Sequence, residues 1–482
     1  MTREAWIVAG SMLVLAGCGA PDAHRQDMVA RVGGRAIDVK ELSRSYALRP
    51  QWKRGDRVMQ SYLRQLQALI TEKIYAQEAE KLGIDRDSLM ARHLEFLRQK
   101  ELIKALYRRH VTAAVRINES EEHRLYAWAK KKVDFEYILT RDSVRSVALA
   151  AALARGGVNS IPSDPLVVRG IKADAKIGSV PPPLEEPLFT ARLHEVRGPL
   201  RTPDGFLCFR ITGGEEVKFL SENDFAGQRE KIDRLLRQRK EDSLASLYVY
   251  TVMRDKDLRL NGQVFWRVAE WFGRRVREEH LDPMNIQSVH VTSDEIRLVE
   301  ADLAADGDAV IATHRDGTLS VQQLLSALAS MPGTLRPRVR TPQQLKDAIG
   351  WIVRNQYLTR QAEAEGLESD QEFRHEYSLQ RDEALAEAYY EDRLSSVRVA
   401  PEEVEAFRQK SPVAEEQVLV KLDMAALARN AKTDSLLQGE LPALTSAYGV
   451  AIDTARVREM TSSPDAILRD APLRIAYREI FQ

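Results

Sequence analysis

One short pattern occurs twice in this sequence of 482 residues, as VARVGGRAID at residues 29–38 and as IATHRDGTLS at residues 311–320. Each copy reads as a short strand, a turn that contains glycine, and an apolar residue before a polar one. Asp38 and Ser320, the polar residues, are good N-caps for the helix that should follow. Self-similarity at a fixed spacing is typical of repeated structure, so the pattern predicts two related modules.

The similarity extends over residues 29–130 and 311–410. Short helices are expected at Val39–Tyr46 and Val321–Ala329, followed in each copy by a long helix with apolar residues at helical spacing. Both long helices should end at a glycine in the left-handed conformation, Gly83 or Gly366. The alternative interpretation is that these are two unrelated amphipathic helical bundles.

Each copy also ends in the same way, with a helix and a short alternating strand at residues 258–260 or 450–452. We expect each of these terminal strands to pair with an opening strand, at Val29–Val32 or Val310–Ala312, and so to close its module. The copies diverge between these points. Residues 133–217 have strand signals and a Pro/Gly-rich middle, whereas in the second copy Val418–Leu422 leads after a short link into the last helix.

The predicted fold class is therefore mainly α, with an α+β insert in the first of two tandem helical modules. The expected domains are a first module of residues 29–132 plus 218–260, an insert at 133–217, a linker at 261–304, and a second module at 305–482 without a full insert. The linker contains four large aromatic residues, which favour a packing surface between modules over a binding site. They are Phe265, Trp266, Trp271 and Phe272.

Composition excludes several classes of function. Lys plus Arg equals Asp plus Glu, at 71 each, so net charge gives no argument for a nucleic-acid partner. The nine histidines show no metal-ligand spacing, and no Gly-rich phosphate loop or nucleophile elbow is present, so no cofactor or metal is expected. Of the two cysteines, Cys208 lies in an apolar run and is interpreted as a small buried hydrophobic residue.

The other cysteine, Cys18, ends an export signal. Arg3 precedes an apolar stretch from Ala5 to Leu15, and this stretch is shorter than the roughly 20 residues that a membrane-spanning helix needs. Leu15-Ala16-Gly17-Cys18 resembles the bacterial lipobox, in which the cysteine is acylated and becomes the first residue of the mature chain. Residues 1–18 are thus expected to be a lipoprotein signal peptide, and an ordinary secretory signal is the alternative.

Residues 19–28 are expected to form a polar tether. The resemblance implies more than one acyl chain on Cys18, which would anchor the protein stably to a membrane. Gly19 stands where an Asp would suggest retention in the inner membrane of some bacteria. The expected location is the cell envelope, facing the periplasm, with the outer membrane favoured and the inner membrane left open.

The layout resembles the SurA/PrsA group of envelope chaperones, in which a helical chaperone module is interrupted by a parvulin-type prolyl isomerase domain. The resemblance rests on the helices around Leu66–Gly83 and Glu95–Val115, on the Asn118–Lys132 helix, and on the return helix at 221–256. It implies a chaperone that binds unfolded or partly folded exported proteins. It leaves the oligomeric state open.

The insert departs from the parvulin pattern at the positions that matter most. Tyr137 and Leu207 stand where the family has histidines, and the family's Gly-Gly-x-Leu-Gly segment is not recognisable around Val168–Ser179. Phe189 matches a pocket aromatic, and Phe206 lies beside Leu207 in the closing pattern. These four residues, Tyr137, Phe189, Phe206 and Leu207, are the candidate pocket of a degenerate parvulin-like domain.

Three functions are compatible with this sequence. Prolyl isomerisation requires a pocket that favours the twisted amide, so loss of both histidines predicts low or absent activity and favours a chaperone that only holds its clients. An active isomerase is the first alternative. A structural lipoprotein that binds one fixed partner in an envelope complex is the second.

Overall fold

The computed structural model describes residues 27–48, 58–216, 222–278, 290–410 and 423–462. The helices in this part of the chain are α1 Val39–Leu48, α2 Val58–Lys81, α3 Ser88–His110, α4 Glu119–Ala129, α5 Ser143–Gly156, α6 Pro182–Phe189, α7 Glu222–Met253, α8 Gly262–Glu278, α9 Ser293–Asp302, α10 Val321–Ala329, α11 Pro342–Ala364, α12 Gln371–Ser396, α13 Pro401–Lys410, α14 Met424–Ala447 and α15 Thr454–Ser462. The fold is mainly helical, with small antiparallel sheets, as the sequence predicts.

The strands form three antiparallel sheets. They are β1 Met28–Val32, β2 Arg35–Asp38, β3 Lys131–Thr140, β4 Val167–Ala175, β5 Val196–Thr202, β6 Gly205–Glu216, β7 Arg259–Leu260, β8 Val310–His314, β9 Gly317–Ser320 and β10 Ala451–Ile452. The strand orders are β10-β1-β2, β4-β3-β6-β5 and β7-β8-β9, and we name these sheets 1, 2 and 3 in that order. Elements of the same kind follow one another in the same order from β1 to α4 and from β8 to α13.

The terminal strands are exchanged between the halves of the chain. In sheet 1 the last strand β10 pairs with the first strand β1, so that Ala30 faces Ile452. In sheet 3 the strand β7 pairs with β8, so that Leu260 faces Ala312. Each terminal strand therefore meets an opening strand, but from the other half of the chain. The prediction that each terminal strand closes its own module was wrong.

The helices follow the same exchange. α2 from the N-terminal half packs against α12 from the C-terminal half, and α3 packs against α11. Two ion-pair sets fasten these contacts: Arg98 binds Glu363 and Glu368, while Arg381 binds Glu80 and Asp85. The members of the second set are related to those of the first by a shift of 283 residues. The two contacts thus involve equivalent positions in the two halves of the chain.

Two apolar cores lie under sheets 1 and 3, and each combines both halves of the chain. The core under sheet 1 joins Val29 and Ile37 from the opening hairpin to Val457 and Met460 from α15. The core under sheet 3 joins β8, α10 and α11 to α8 and, at its edge, to Val252 and Met253 of α7. Three of the four aromatic residues from the expected linker, Phe265, Trp271 and Phe272, are buried there, whereas Trp266 is exposed.

Local signals in the sequence place most helix ends. Gly83 and Gly366 both adopt the left-handed conformation, with φ of 74° and 69°. Ser320 forms a capping box with Gln323 at the start of α10, and Asp38 accepts a hydrogen bond from the backbone N–H of Glu41. The helix expected at Asn118–Lys132 ends earlier, at Ala129, because the following lysines begin β3 and pair with β6.

Residues 131–216 form an α+β unit around sheet 2. β3 pairs with β6 along its whole length and with β4 from Val133 onward, and its first residue Lys131 pairs with Glu216 at the end of β6. The two ends of the insert therefore lie side by side. The helices α5 and α6 cover sheet 2, and α6 is also tied to α7 because Arg239 binds the buried carboxylate of Glu185 at 2.5 Å. Within the described residues, no helix is long and apolar enough to cross a membrane.

The exchange predicts a specific cross-link. Cysteines introduced by Arg31→Cys and Ala451→Cys should form a disulfide within one chain, because these residues are partners across β1 and β10. Residues 28–482 would be oxidised and the bridged peptides identified by mass spectrometry. Arg31→Cys with Arg259→Cys is the matched control, since Arg259 lies in sheet 3. A bridge in the control and none in the first variant would contradict the exchanged pairing.

Candidate functional site

The four pocket residues expected from the sequence lie in sheet 2 and its covering helix. Tyr137, Leu207 and Phe189 share one apolar cluster, together with Phe135 and Phe209. Phe206 is adjacent to Leu207 in β6, so its side chain points to the opposite face of the strand. The structure thus brings three of the four residues together and separates the fourth from them.

The three grouped residues are packed as a core. Phe189 is 2% exposed and stacks on Trp128, with 6.3 Å between ring centroids, and Leu207 is also buried. Tyr137 lies over Gly170 of β4, where an added Cβ would come within 2.8 Å of its ring. On the other face of the sheet Cys208 is fully buried, and burial raises the pKa of its thiol to about 11, so it is the small hydrophobic residue that the sequence predicts. Cys18, the expected lipidation site, lies outside the described residues.

A groove that sequence reasoning missed lies between the two halves of the chain, where α3 faces α10 and α11. It has a volume of about 710 Å³, which is within the usual range for ligand pockets. Its apolar surface comes from Phe96 and Ile103 of α3, Met331 after α10, and Trp351 and Ile352 of α11. We call this feature the groove.

Amides are the largest group of polar side chains that line the groove, beside four charged residues and two serines. Gln99, Gln323, Asn355 and Gln356 all border it. The indole Nε1 of Trp351 is buried and has no hydrogen-bond partner among the described residues. An indole N–H can only donate, and a buried donor without an acceptor costs free energy.

At the position equivalent to the groove, where α12 faces α1 and α2, charged side chains fill the space between the helices. Lys73 is 1% exposed, and its Nζ lies 2.9 Å from a carboxylate oxygen of Glu41 and 3.0 Å from one of Asp382. Arg35 binds Asp382 at 2.7 Å, and Arg44 binds Glu376 of α12 at 2.6 Å. We call this cluster the ionic seam.

Two carboxyl groups in and next to the ionic seam have raised pKa values. Burial raises the pKa of Glu41 to about 7 despite the attraction of Lys73, and the carboxylates of Asp38 and Asp382 raise it further. Burial likewise raises the pKa of Glu72 to about 7. Burial opposes the charge on Lys73, but Glu41 and Asp382 outweigh it and raise the lysine's pKa, so the lysine stays charged. Because these carboxyl groups interact with one another, a proton bound near neutral pH belongs to them as a group.

The groove and the ionic seam use corresponding positions. These are the third residue of the helix after each hairpin, the residue ten before the helix-ending glycine, and the residue twelve after the N-cap aspartate of α3 or α12. In the ionic seam they are Glu41, Lys73 and Asp382, and at the groove they are Gln323, Gln356 and Gln99. The sequence signal that could have found the groove is therefore this change from ions to amides between aligned positions.

Comparison with known proteins does not establish a family for this chain. No protein-family model and no curated protein matches the chain. One solved structure that it resembles is described under PEB4, a virulence factor, and Cj1289, a periplasmic protein, which are two structurally related SurA-like chaperones of Campylobacter jejuni. The match has 16% identity and a TM-score of 0.21, and it covers 47% of this chain and 97% of that chain. A TM-score this low does not establish a common function.

The ionic seam predicts a marked asymmetry among substitutions. Lys73→Ala should lower the free energy of unfolding by about 3–5 kcal/mol, because it leaves Glu41 and Asp382 buried without their cation. The combined variant Lys73→Gln, Glu41→Gln and Asp382→Gln removes all three charges and should lose less. Urea unfolding of both variants measures this. A combined variant that is less stable than Lys73→Ala would show that the ion pairs themselves supply the stability.

Proposed function

We propose that this protein is a lipid-anchored chaperone of the cell envelope that holds unfolded or partly folded exported polypeptides. The observation that carries the proposal is the groove, which is open, about 710 Å³ in volume, and lined by both apolar and amide side chains. Methionine adapts to varied apolar partners, aromatic rings contribute large apolar contact areas, and amides can donate to or accept from a backbone. Such a lining suits many chains rather than one fixed ligand.

Three further features belong to the proposal. The corresponding element order and the ion pairs related by a constant shift support an origin of the two halves by duplication. The lipobox-like residues that end at Cys18 support a membrane anchor. The packing of Phe189 and Leu207 in an apolar cluster, with no histidine at either family position, supports a parvulin-like insert that is kept for its shape.

The first test separates holding from catalysis. Purified residues 28–482 should suppress aggregation of an unfolded outer-membrane-type protein while barely accelerating isomerisation of a proline peptide. Replacing residues 133–217 by a short Gly-Ser link should leave much of the suppression intact, because the groove lies outside the insert and the ends of the insert are adjacent. Light scattering measures suppression in both forms.

Two results would contradict this assignment. Strong isomerase activity that is lost on changing Tyr137 or Phe189 would favour a divergent enzyme. Failure of the wild type to bind any unfolded chain would favour a scaffold that binds one folded partner.

The second test concerns the anchor. The wild-type protein should fractionate with membranes and incorporate labelled palmitate, and Cys18→Ala should abolish the label and either release the protein or block its processing. Cys208→Ala is the matched control, because Cys208 is buried and should not be acylated. Palmitate that persists after Cys18→Ala would exclude the lipobox assignment.

A further inference from the structure

The groove and the ionic seam lie between corresponding helices, but amide side chains stand at the groove where charged side chains stand in the ionic seam. At the ionic seam Glu41 turns towards Lys73, and the space between the helices is occupied by ion pairs. At the groove the corresponding Gln323 instead bonds back to the backbone N–H of its N-cap Ser320, at 2.9 Å. The space between the helices therefore stays open on this side.

The chemistry of the open side matches a polypeptide main chain. Asn and Gln side chains carry both a donor and an acceptor, as each peptide unit does. The hydrophobic side chains of Phe96 and Met331 provide contact area for a side chain of the occupant.

Dimensions and charge define the occupant further. The part of α3 that lines the groove runs from Ala91 to Ile103, which is about 18 Å along a helix. An extended chain of about five residues has this length. The charged residues at the border balance, with Arg92 and Lys100 against Glu95 and Glu300, and Lys100 is already bound to Gln380. This balance favours an uncharged segment.

We propose that the groove binds the main chain of a short, extended, uncharged segment of a client polypeptide, and that Gln99, Gln323 and Gln356 keep this site open where ion pairs shut its counterpart. The inference rests on the proposed function and names its binding site and the class of segment bound. It also assigns a role to the difference between the two equivalent places: the groove binds, and the ionic seam fills its counterpart with ion pairs.

The test introduces the residues of the ionic seam at the corresponding positions of the groove, in the full-length mature chain. The closing variant copies the residues of the ionic seam and its N-cap aspartate, as Gln99→Asp, Ser320→Asp, Gln323→Glu and Gln356→Lys. The control variant makes the same changes at exposed positions outside the groove, as Gln409→Asp, Ser435→Asp, Gln438→Glu and Gln263→Lys. The probe is a short fluorescent peptide in which Leu alternates with Ser and Asn, and binding is followed by anisotropy.

The closing variant should bind the probe at least about tenfold more weakly than the wild type, and the control variant should bind like the wild type, because a new hydrogen-bonded ion set would occupy the space. Trp351→Phe keeps an aromatic ring at the groove but removes part of its apolar contact area, so it should weaken binding about three- to tenfold. If circular dichroism shows that the closing variant is not folded, this single substitution tests the inference instead.

Unchanged probe binding in a folded closing variant, or in Trp351→Phe, would overturn the inference. If the same variant still suppressed aggregation, the chaperone proposal would stand and its site would lie elsewhere. A wild type that neither binds the probe nor suppresses aggregation would overturn both. Tighter binding of a matched peptide with Asp in place of Ser would also overturn the inference, since it would require a charged client.

Discussion

The pairing of β1 with β10 is the constraint on which the rest of the structure depends. β1 has β2 on one side and β10 on the other, and the backbone N–H of Asp453 donates to the carbonyl of Val29 at 2.9 Å. The core beneath sheet 1 needs Val457 and Met460, which the chain supplies more than 400 residues after β1. The opening hairpin cannot bury its apolar face without the end of the chain, so neither half can complete its core independently.

This constraint explains why the same contacts occur twice with different chemistry. Once each core requires both halves, the helices α3 and α12 must cross between them, and the ion pairs of Arg98 and Arg381 hold the two crossings at equivalent places. The space next to each crossing is then set by side chains alone. A buried ion set gains little net free energy over uncharged residues, so stability does not require ions at both crossings. One of them is free to hold amides and an open groove.

The sequence predicts what depends on neighbouring residues. The helix ends at Gly83 and Gly366 follow from the need for a left-handed residue after a helix, and the cap at Ser320 follows from hydrogen bonds three residues apart. The exchange could not be predicted, because β7 and β10 are two residues long and their pattern fits either opening strand equally well. The groove was missed for a related reason: its two walls are far apart in the chain, and only the exchange brings α3 to α10.

The insert is connected to this arrangement through α7. Glu185 of α6 is buried against Arg239, which ties the insert to α7 near the middle of that helix. The other end of α7 packs Val252 and Met253 against the core under sheet 3 and leads directly into β7. β7 pairs with a strand of the other half, and α7 comes directly before β7 in the chain. The contact with the insert therefore helps to fix the position of α7. The α+β unit at residues 131–216 therefore contacts the middle of the helix whose other end packs in the core under sheet 3.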